Sequence, residues 1–382
     1  MKYGLTLEGG GARGAYHIGA VKALVENGYE FKSVVGTSIG AVNAAFICQG
    51  DLDEVYNMWQ TLSFSDLFNV EDDKIINAMN ANLDLDTVKY LSKKMRKFIK
   101  EKGIDTLRMR KLLEEKIDEK KVRDSKIKFG LVTYCLSDRN GEELLIDDIE
   151  DGKLVDYLMA STNLPVFKRV KVNDKNYVDG GVYDNCPVNI LERQGIKEAI
   201  VIRTYKRMRI RDYKKILKRG NVVMHMIEPV DSLPSILNFE SKNLQEQLLL
   251  GYYDALKAIK NLDGIRYYIK EESEKDIIKK LDNISYDIIQ KIADMSNIRL
   301  DVGKNITVLL KEKIIKNLAA KTRNKDLETI KDYIYTIMET VSLSNNIERY
   351  KVYTFDELLS EIKKVLKTEE KLNAMELLLI NL

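Results

Sequence analysis

Within its first forty residues the chain passes twice from a short apolar run through a glycine-rich turn into a segment of helical spacing. Residues 3–8 read as a strand and Gly9-Gly10-Gly11-Ala12-Arg13-Gly14 as a loop. Ile18, Val21, Leu24 and Val25 then mark one helical face before Asn27-Gly28 stops it. A second β-branched run, Ser33-Val34-Val35, leads into Gly36-Thr37-Ser38-Ile39-Gly40 and a helix of small residues from Ala41 to about Gln49. Strand–loop–helix twice in succession calls for parallel strands joined by crossover helices, so the fold class is α/β with a mostly parallel sheet. Adjacent parallel strands also bring both loops to the C-terminal edge of the sheet, where α/β folds bind ligands.

Residues 51 to about 121 are helical in spacing and laced with charge. Strand signals return at 127–136, 143–146, 176–178, 198–203 and 222–227. Beyond about residue 235 the pattern is helical: Ile277, Ile278, Leu281, Ile284, Ile288, Ile289, Ile292 and Met295 follow one face, and Thr354-Phe355-Asp356-Glu357 reads as a capping box. The expected organisation is an α/β domain over residues 1–260 and a helical region over 261–382 whose role the sequence leaves open. No basic segment followed by a long apolar one opens the chain, and no run of apolar residues is long enough to span a bilayer. The expected location is therefore cytoplasmic, with peripheral membrane contact at most.

Rare residues narrow the chemistry. The chain has 2 His and 3 Cys. Cys48, Cys135 and Cys186 are too widely separated for a disulfide framework or a CxxC zinc site, and they suit a reducing compartment. Two histidines rule out a His-rich metal centre and leave few imidazole bases. Asp51-Leu52-Asp53 and Asp84-Leu85-Asp86 lack the Gly and distal Glu of a calcium loop. No metal or other cofactor is expected. A net charge of +3 gives no global argument for nucleic acid.

The first glycine loop has two readings. Gly9-x-Gly11-x-x-Gly14 after a strand and before a helix satisfies the dinucleotide pattern, in which backbone amides and a helix N-terminus meet a pyrophosphate. That pattern also wants a carboxylate ending the second strand, whereas this strand ends Val34-Val35-Gly36-Thr37 and the nearest acid, Glu30, precedes it. In the other reading, the residues from Gly9 to Gly14 aim backbone N–H groups at the oxygen of a reacting acyl group, an oxyanion hole.

A nucleophile is at hand. Gly36-Thr37-Ser38-Ile39-Gly40 matches GxSxG between a strand and a helix, the context of a nucleophile elbow, with Gly36 and Gly40 permitting the tight turn. Ser38 needs a base. His225 lies in the apolar run 222–227, which reads as a buried strand, and His17 lies on the first helix, where packing against the sheet accounts for it. The remaining candidate is Asp179, which follows a strand-like Tyr177-Val178 and precedes Gly180-Gly181, glycines that allow a close turn.

Together, the Gly9–Gly14 loop, the Gly36–Gly40 turn and Asp179-Gly180-Gly181 resemble the three signatures of the patatin-like phospholipase family. Ala160-Ser161-Thr162-Asn163-Leu164-Pro165-Val166-Phe167 and Asn185-Cys186-Pro187 agree with it. The resemblance covers about residues 3–205 and does not reach the helical region. It implies a three-layer α/β/α core and a Ser38–Asp179 dyad without metal. It also implies hydrolysis of phospholipid or lysophospholipid acyl esters. Such a dyad faces a difficulty of basicity, because a carboxylate of pKa ~4 is a weaker base than an imidazole at ~6.5. Either the helix after Ser38 lowers the serine's proton affinity or burial raises that of Asp179. The competing classes are a nucleotide-binding oxidoreductase and a catalytically silent lipid-binding protein.

Three further features remain double-valued. Arg13 reads as a headgroup contact or as a structural donor to carbonyls. The basic run Arg203, Lys206, Arg207, Arg209, Arg211, Lys214, Lys215, Lys218 and Arg219 reads as an anionic-membrane patch or as a solvated face. Residues 65–115, with Phe64, Leu67, Phe68, Met95 and Phe98 in or beside them, read as a lid over an acyl pocket or as core helices.

Overall fold

A computed structural model of the protein describes residues 2–69, 103–205, 221–300, 310–322, 327–369 and 371–382. The chain divides into two compact units, Met1–Ala258 and Ile259–Leu382.

The first unit is built on an eight-stranded sheet of order β5-β6-β3-β2-β1-β7-β8, with β4 paired to β3. The strands are β1 (Lys2–Leu7), β2 (Glu30–Thr37), β3 (Lys128–Cys135), β4 (Asn140–Leu145), β5 (Val170–Val172), β6 (Lys175–Asp179), β7 (Glu198–Ile202) and β8 (Val223–Ile227). The run β3-β2-β1-β7-β8 is parallel, while β4, β5 and β6 pair antiparallel. Central β2 is buried from Ser33 to Thr37, as expected for a parallel strand covered on both faces.

Helix α1 (Gly14–Glu26) joins β1 to β2, and α2 (Ile39–Gln49) follows β2. Every residue of α2 is buried, which explains its small-residue composition. A Cβ at Gly36 would strike the backbone of Gly40, and one at Gly40 would strike the Leu7 carbonyl, so α2 lies closer to the sheet than any side chain allows. The next residue back along β2, Val35, points the other way and packs with Ile190 and Leu191 of the helix Val188–Arg193. Successive strand residues face opposite sides, so helices cover both faces and the architecture is α/β/α.

The run 222–227, expected to be a buried strand, is instead the outer strand β8. Among the described residues no further strand pairs with its free side, and the His225 side chain is 53% exposed, 3.5 Å from Glu198 and edge-on to Tyr3.

The second unit is helical with its own apolar core, including Ile277, Leu281, Ile292, Ile334 and Leu358. The apolar stripe from Ile277 is carried by two helices, Glu274–Asp282 and Tyr286–Met295, and Met295 ends half exposed. The capping box at Thr354 is present: its hydroxyl accepts from the Glu357 amide while the Glu357 carboxylate accepts from the Thr354 amide. No helix among the described residues is long and apolar enough to cross a membrane.

Candidate active site

Sheet register places Ser38 and Asp179. Thr37 pairs with Val132, and the next residue of β3, Thr133, pairs with Asp179 at the end of β6. Ser38 thus leaves β2 one step from where β6 delivers Asp179. Ser38 has φ 57° and ψ −129°, a left-handed conformation costly for a side chain that is neither Gly nor Asn. Its amide is tied to the hydroxyl of Ser161 (2.9 Å), which itself donates to the Val132 carbonyl (2.6 Å). The turn is therefore pinned to the sheet by the Ala160–Phe167 segment.

The Ser38 hydroxyl donates to Oδ2 of Asp179 at 2.5 Å. Oδ1 of Asp179 accepts from the Gly181 amide at 2.8 Å, so the Asp-Gly-Gly turn clamps its own carboxylate. A Cβ at Gly180 would collide with the Val132 carbonyl, which keeps this turn against β3. The Asp179 amide donates to Asn163, whose side chain in turn donates to the Tyr177 carbonyl. Both partners of the dyad are buried. Burial pushes the Asp179 carboxyl up to about 6, against the opposing pull of the Ser38 hydroxyl and the Gly181 amide. The basicity problem of a carboxylate base is thereby eased by desolvation.

The histidines stand apart from this pair. His17 is fully buried on α1, its Nδ1 3.5 Å from Asn43, and burial pushes its pKa down to about 3. Neither His17 nor His225 lines either of the cavities that Ser38 borders.

Most amides of the glycine loop are already engaged within the protein. Gly9 donates to the Asn185 carbonyl, Ala12 to Ile236, Arg13 to Gly10, and Gly14 to the Gly11 and Ala12 carbonyls. Among the described residues only Gly10 and Gly11 of this loop keep an N–H without a protein acceptor, as do Ile39 and Gly40 at the start of α2. Gly11 needs its φ of 57° and its missing side chain, since a Cβ there would run into the Ile236 carbonyl.

The loop is held from outside. Arg13 donates to the carbonyls of Pro234, Thr204 and Leu233 and lies 4.5 Å over the Tyr205 ring, the structural-donor role. Arg203 does not belong to a surface patch: it is buried and pairs with Glu8 through Nε and Nη2, and with Glu228 through Nη1. Glu8 also accepts from the Thr204 amide (2.7 Å), and the Thr204 hydroxyl donates to the Gly9 carbonyl (2.8 Å). Sequence reasoning missed Glu8 and Thr204 and misplaced Arg203. A charged residue ending each of two apolar strands, β1 and β7, was the available signal. The rest of the basic run, Lys206 to Arg219, lies outside the described residues.

Ser38 borders two cavities. One is apolar, with Val42, Trp59, Leu67, Phe68, Phe167 and Phe239 among its walls. The other is the more polar of the two, with Asp179, Gly10, Gly11, Asn185 and Tyr205 among its walls. Of the segment read as lid or core, Phe64, Leu67 and Phe68 are buried, the two phenylalanines against Phe239, while Met95 and Phe98 lie outside the described residues. Among the possible calcium ligands, Asp51 accepts from Gln49 and Lys121, and Asp53 from Lys22. Asp84 and Asp86 lie outside the described residues. The described residues hold one tight group of metal-capable side chains, Cys135, Asp138 and Glu142, where Lys175 sits 2.6 Å from Asp138.

Known proteins resemble this chain. It is 26% identical over 282 residues to the lysophospholipase NTE1 of Kluyveromyces lactis, covering 69% of this chain and 17% of that protein. It is 25% identical over 273 residues to a patatin-like phospholipase domain-containing protein of Caenorhabditis elegans, covering 69% and 18%. The chain thus spans under a fifth of the length of these relatives. Among solved structures, VipD from Legionella pneumophila aligns over 99% of this chain and 90% of its own, at 14% identity and a TM-score of 0.34. The family model described as Patatin-like phospholipase matches residues 5–192, a stretch that contains both glycine turns and Asp179. Residues 5–192, within the first unit, thus match the patatin-like phospholipase family that the sequence motifs resemble.

Proposed function

We propose that the protein is a lipid acyl hydrolase of phospholipase A or lysophospholipase type, with Ser38 as nucleophile, Asp179 as base and residues 1–260 as the catalytic domain. The observation that carries this is the 2.5 Å contact between Ser38 Oγ and Asp179 Oδ2 at the mouth of an apolar cavity.

In this mechanism Ser38 Oγ attacks the ester carbonyl while its proton passes to Oδ2 of Asp179. The oxyanion accepts hydrogen bonds from the free amides of Gly10 and Gly11, and from Ile39, the residue after the nucleophile. Collapse breaks the ester C–O bond, and the proton held by Asp179 leaves with the alkoxide. The acyl group stays on Ser38 with its chain in the apolar cavity, and the leaving headgroup departs through the polar one. Water then enters from the polar side, loses a proton to Asp179 and attacks the acyl carbonyl; the fatty acid is released as Ser38 regains its proton. Each step uses side chains and amides of this chain, and no cofactor is invoked.

Two observations favour hydrolysis over a dinucleotide site. No carboxylate ends β2, and Glu30 is exposed at that strand's start. The loop's free amides also face a cavity shared with Ser38. The deciding experiment measures fatty acid release from phospholipid and lysophospholipid vesicles by the parent and by Ser38→Ala, with fluorophosphonate labelling of Ser38. Turnover that survives Ser38→Ala would sink the assignment. Contact with anionic membrane through the basic run 206–219 is a separate proposal, expected to appear as vesicle co-sedimentation that rises with anionic lipid; binding indifferent to lipid charge rejects it.

A further inference from the structure

Three cavities of the first unit stand in series, joined by shared walls. Gly11, Ser38, Leu164 and Ile236 border both the polar cavity and the apolar one. At another part of the apolar cavity, Met58, Leu62 and Leu112 border both it and a third, open cleft. Among the described residues none borders both the polar cavity and that cleft, so the apolar cavity lies between them. The cleft is charged: Asp66, Arg108, Lys111 and Glu115 line it. Its partition with the apolar cavity is thin. Met58 and Leu112 are only partly buried, and they come from two helices, Leu52–Thr61 and Leu107–Lys116.

We infer that Met58, Leu62 and Leu112 form the end wall of the acyl site and set the length of acyl chain it accepts; this rests on the hydrolase reading above. An acyl chain on Ser38 runs through apolar surroundings until it meets these three side chains. Within the cavity each buried methylene strengthens binding about fourfold. Beyond the wall the surroundings become charged and wet, so a longer chain must displace the wall or fold back. Chain length is therefore read by three apolar side chains remote from the chemistry, through the packing cost of one methylene too many.

The test measures kcat/KM of the full chain on p-nitrophenyl esters from butyrate to palmitate. Leu112→Ala opens the wall and is expected to raise the palmitate-to-butyrate ratio about tenfold, and Leu112→Trp to lower it about tenfold. Met58→Ala, on the other helix, is expected to raise the ratio independently. Lys111→Ala lines the charged cleft alone and is expected to leave it unchanged. Fluorophosphonate labelling of Ser38 reports that each variant retains a formed site. Unchanged ratios in the Leu112 and Met58 variants, with labelling intact, overturn the inference while leaving the hydrolase reading in place. A parent that hydrolyses none of the esters, or hydrolysis that persists in Ser38→Ala, overturns the hydrolase reading itself.

Discussion

The two glycine-rich turns at the sheet edge differ in how they are held. The Gly36–Gly40 turn is wedged between β2 and α2, and its distant ties, from Ser161, Asp179 and the Asp184 carbonyl, all fall on Thr37 and Ser38. The Gly9–Gly14 loop is held from far along the chain, by Asn185, Thr204, Arg203 acting through Glu8, and the carbonyls that Arg13 reaches at Leu233 and Pro234. A turn that carries a nucleophile needs one strained residue backed by a rigid sheet. A loop that offers amides to a transient charge must be braced so that its N–H groups do not relax toward its own carbonyls.

The largest test of this contrast falls on the nucleophile turn. Ser38→Ala is expected to lower kcat by about 10⁴-fold or more, with the fold retained by circular dichroism. Asp179→Asn should follow at about 10⁴-fold, and its stability should move the other way. Asp179 is raised in the folded protein above its unfolded value of 3.8, to about 6. Its contribution to stability is therefore full below pH about 4 and is lost as pH rises through about 6. At pH 7 the ionised carboxylate costs on the order of 2–3 kcal/mol, so Asp179→Asn should raise the melting temperature there. A variant that is both inactive and less stable at pH 7 would contradict this account. The same titration predicts that kcat/KM of the parent falls as pH drops below about 6, where the base becomes protonated.

The donor loop should respond more gently and at a distance. Glu8→Gln keeps the shape of the brace but leaves buried Arg203 with Glu228 as its remaining carboxylate partner. We expect kcat to drop roughly tenfold to a hundredfold with KM little changed, since the amides act on the transition state. A KM effect with unchanged kcat would show that the loop binds substrate instead. The smallest effect belongs to His225→Ala. That exposed side chain on β8 lies away from both cavities at Ser38, and activity should stay within about twofold of the parent. A substantial loss there would return the imidazole to the mechanism.

What could be read in advance follows the same division. The Gly36–Gly40 turn was legible because its determinants are local: glycines two residues either side of Ser38, β-branched residues before it and small residues after it. Asp179 was legible as a residue at a strand end, but the antiparallel direction of β6 was not, because pairing partners carry no mark in a short run such as Tyr177-Val178. The brace of the first loop was hidden for a plainer reason. Glu8 and Arg203 are 195 positions apart, and each alone reads as a surface charge. In the same way, hydropathy made the run 222–227 look buried, whereas sheet order decides which strand is outermost.

The placement of Asp179 opposite Thr133 turns the sheet pairing into a gauge. A strand advances ~3.3 Å per residue and alternates its faces, so a slip of one position on β3 would carry the carboxylate off the Ser38 hydroxyl and turn it to the other side. On the proposed mechanism, hydrolysis therefore begins only after the β3–β6 pairing has locked in register. In a refolding experiment, the return of ester turnover would time the closing of that one antiparallel seam.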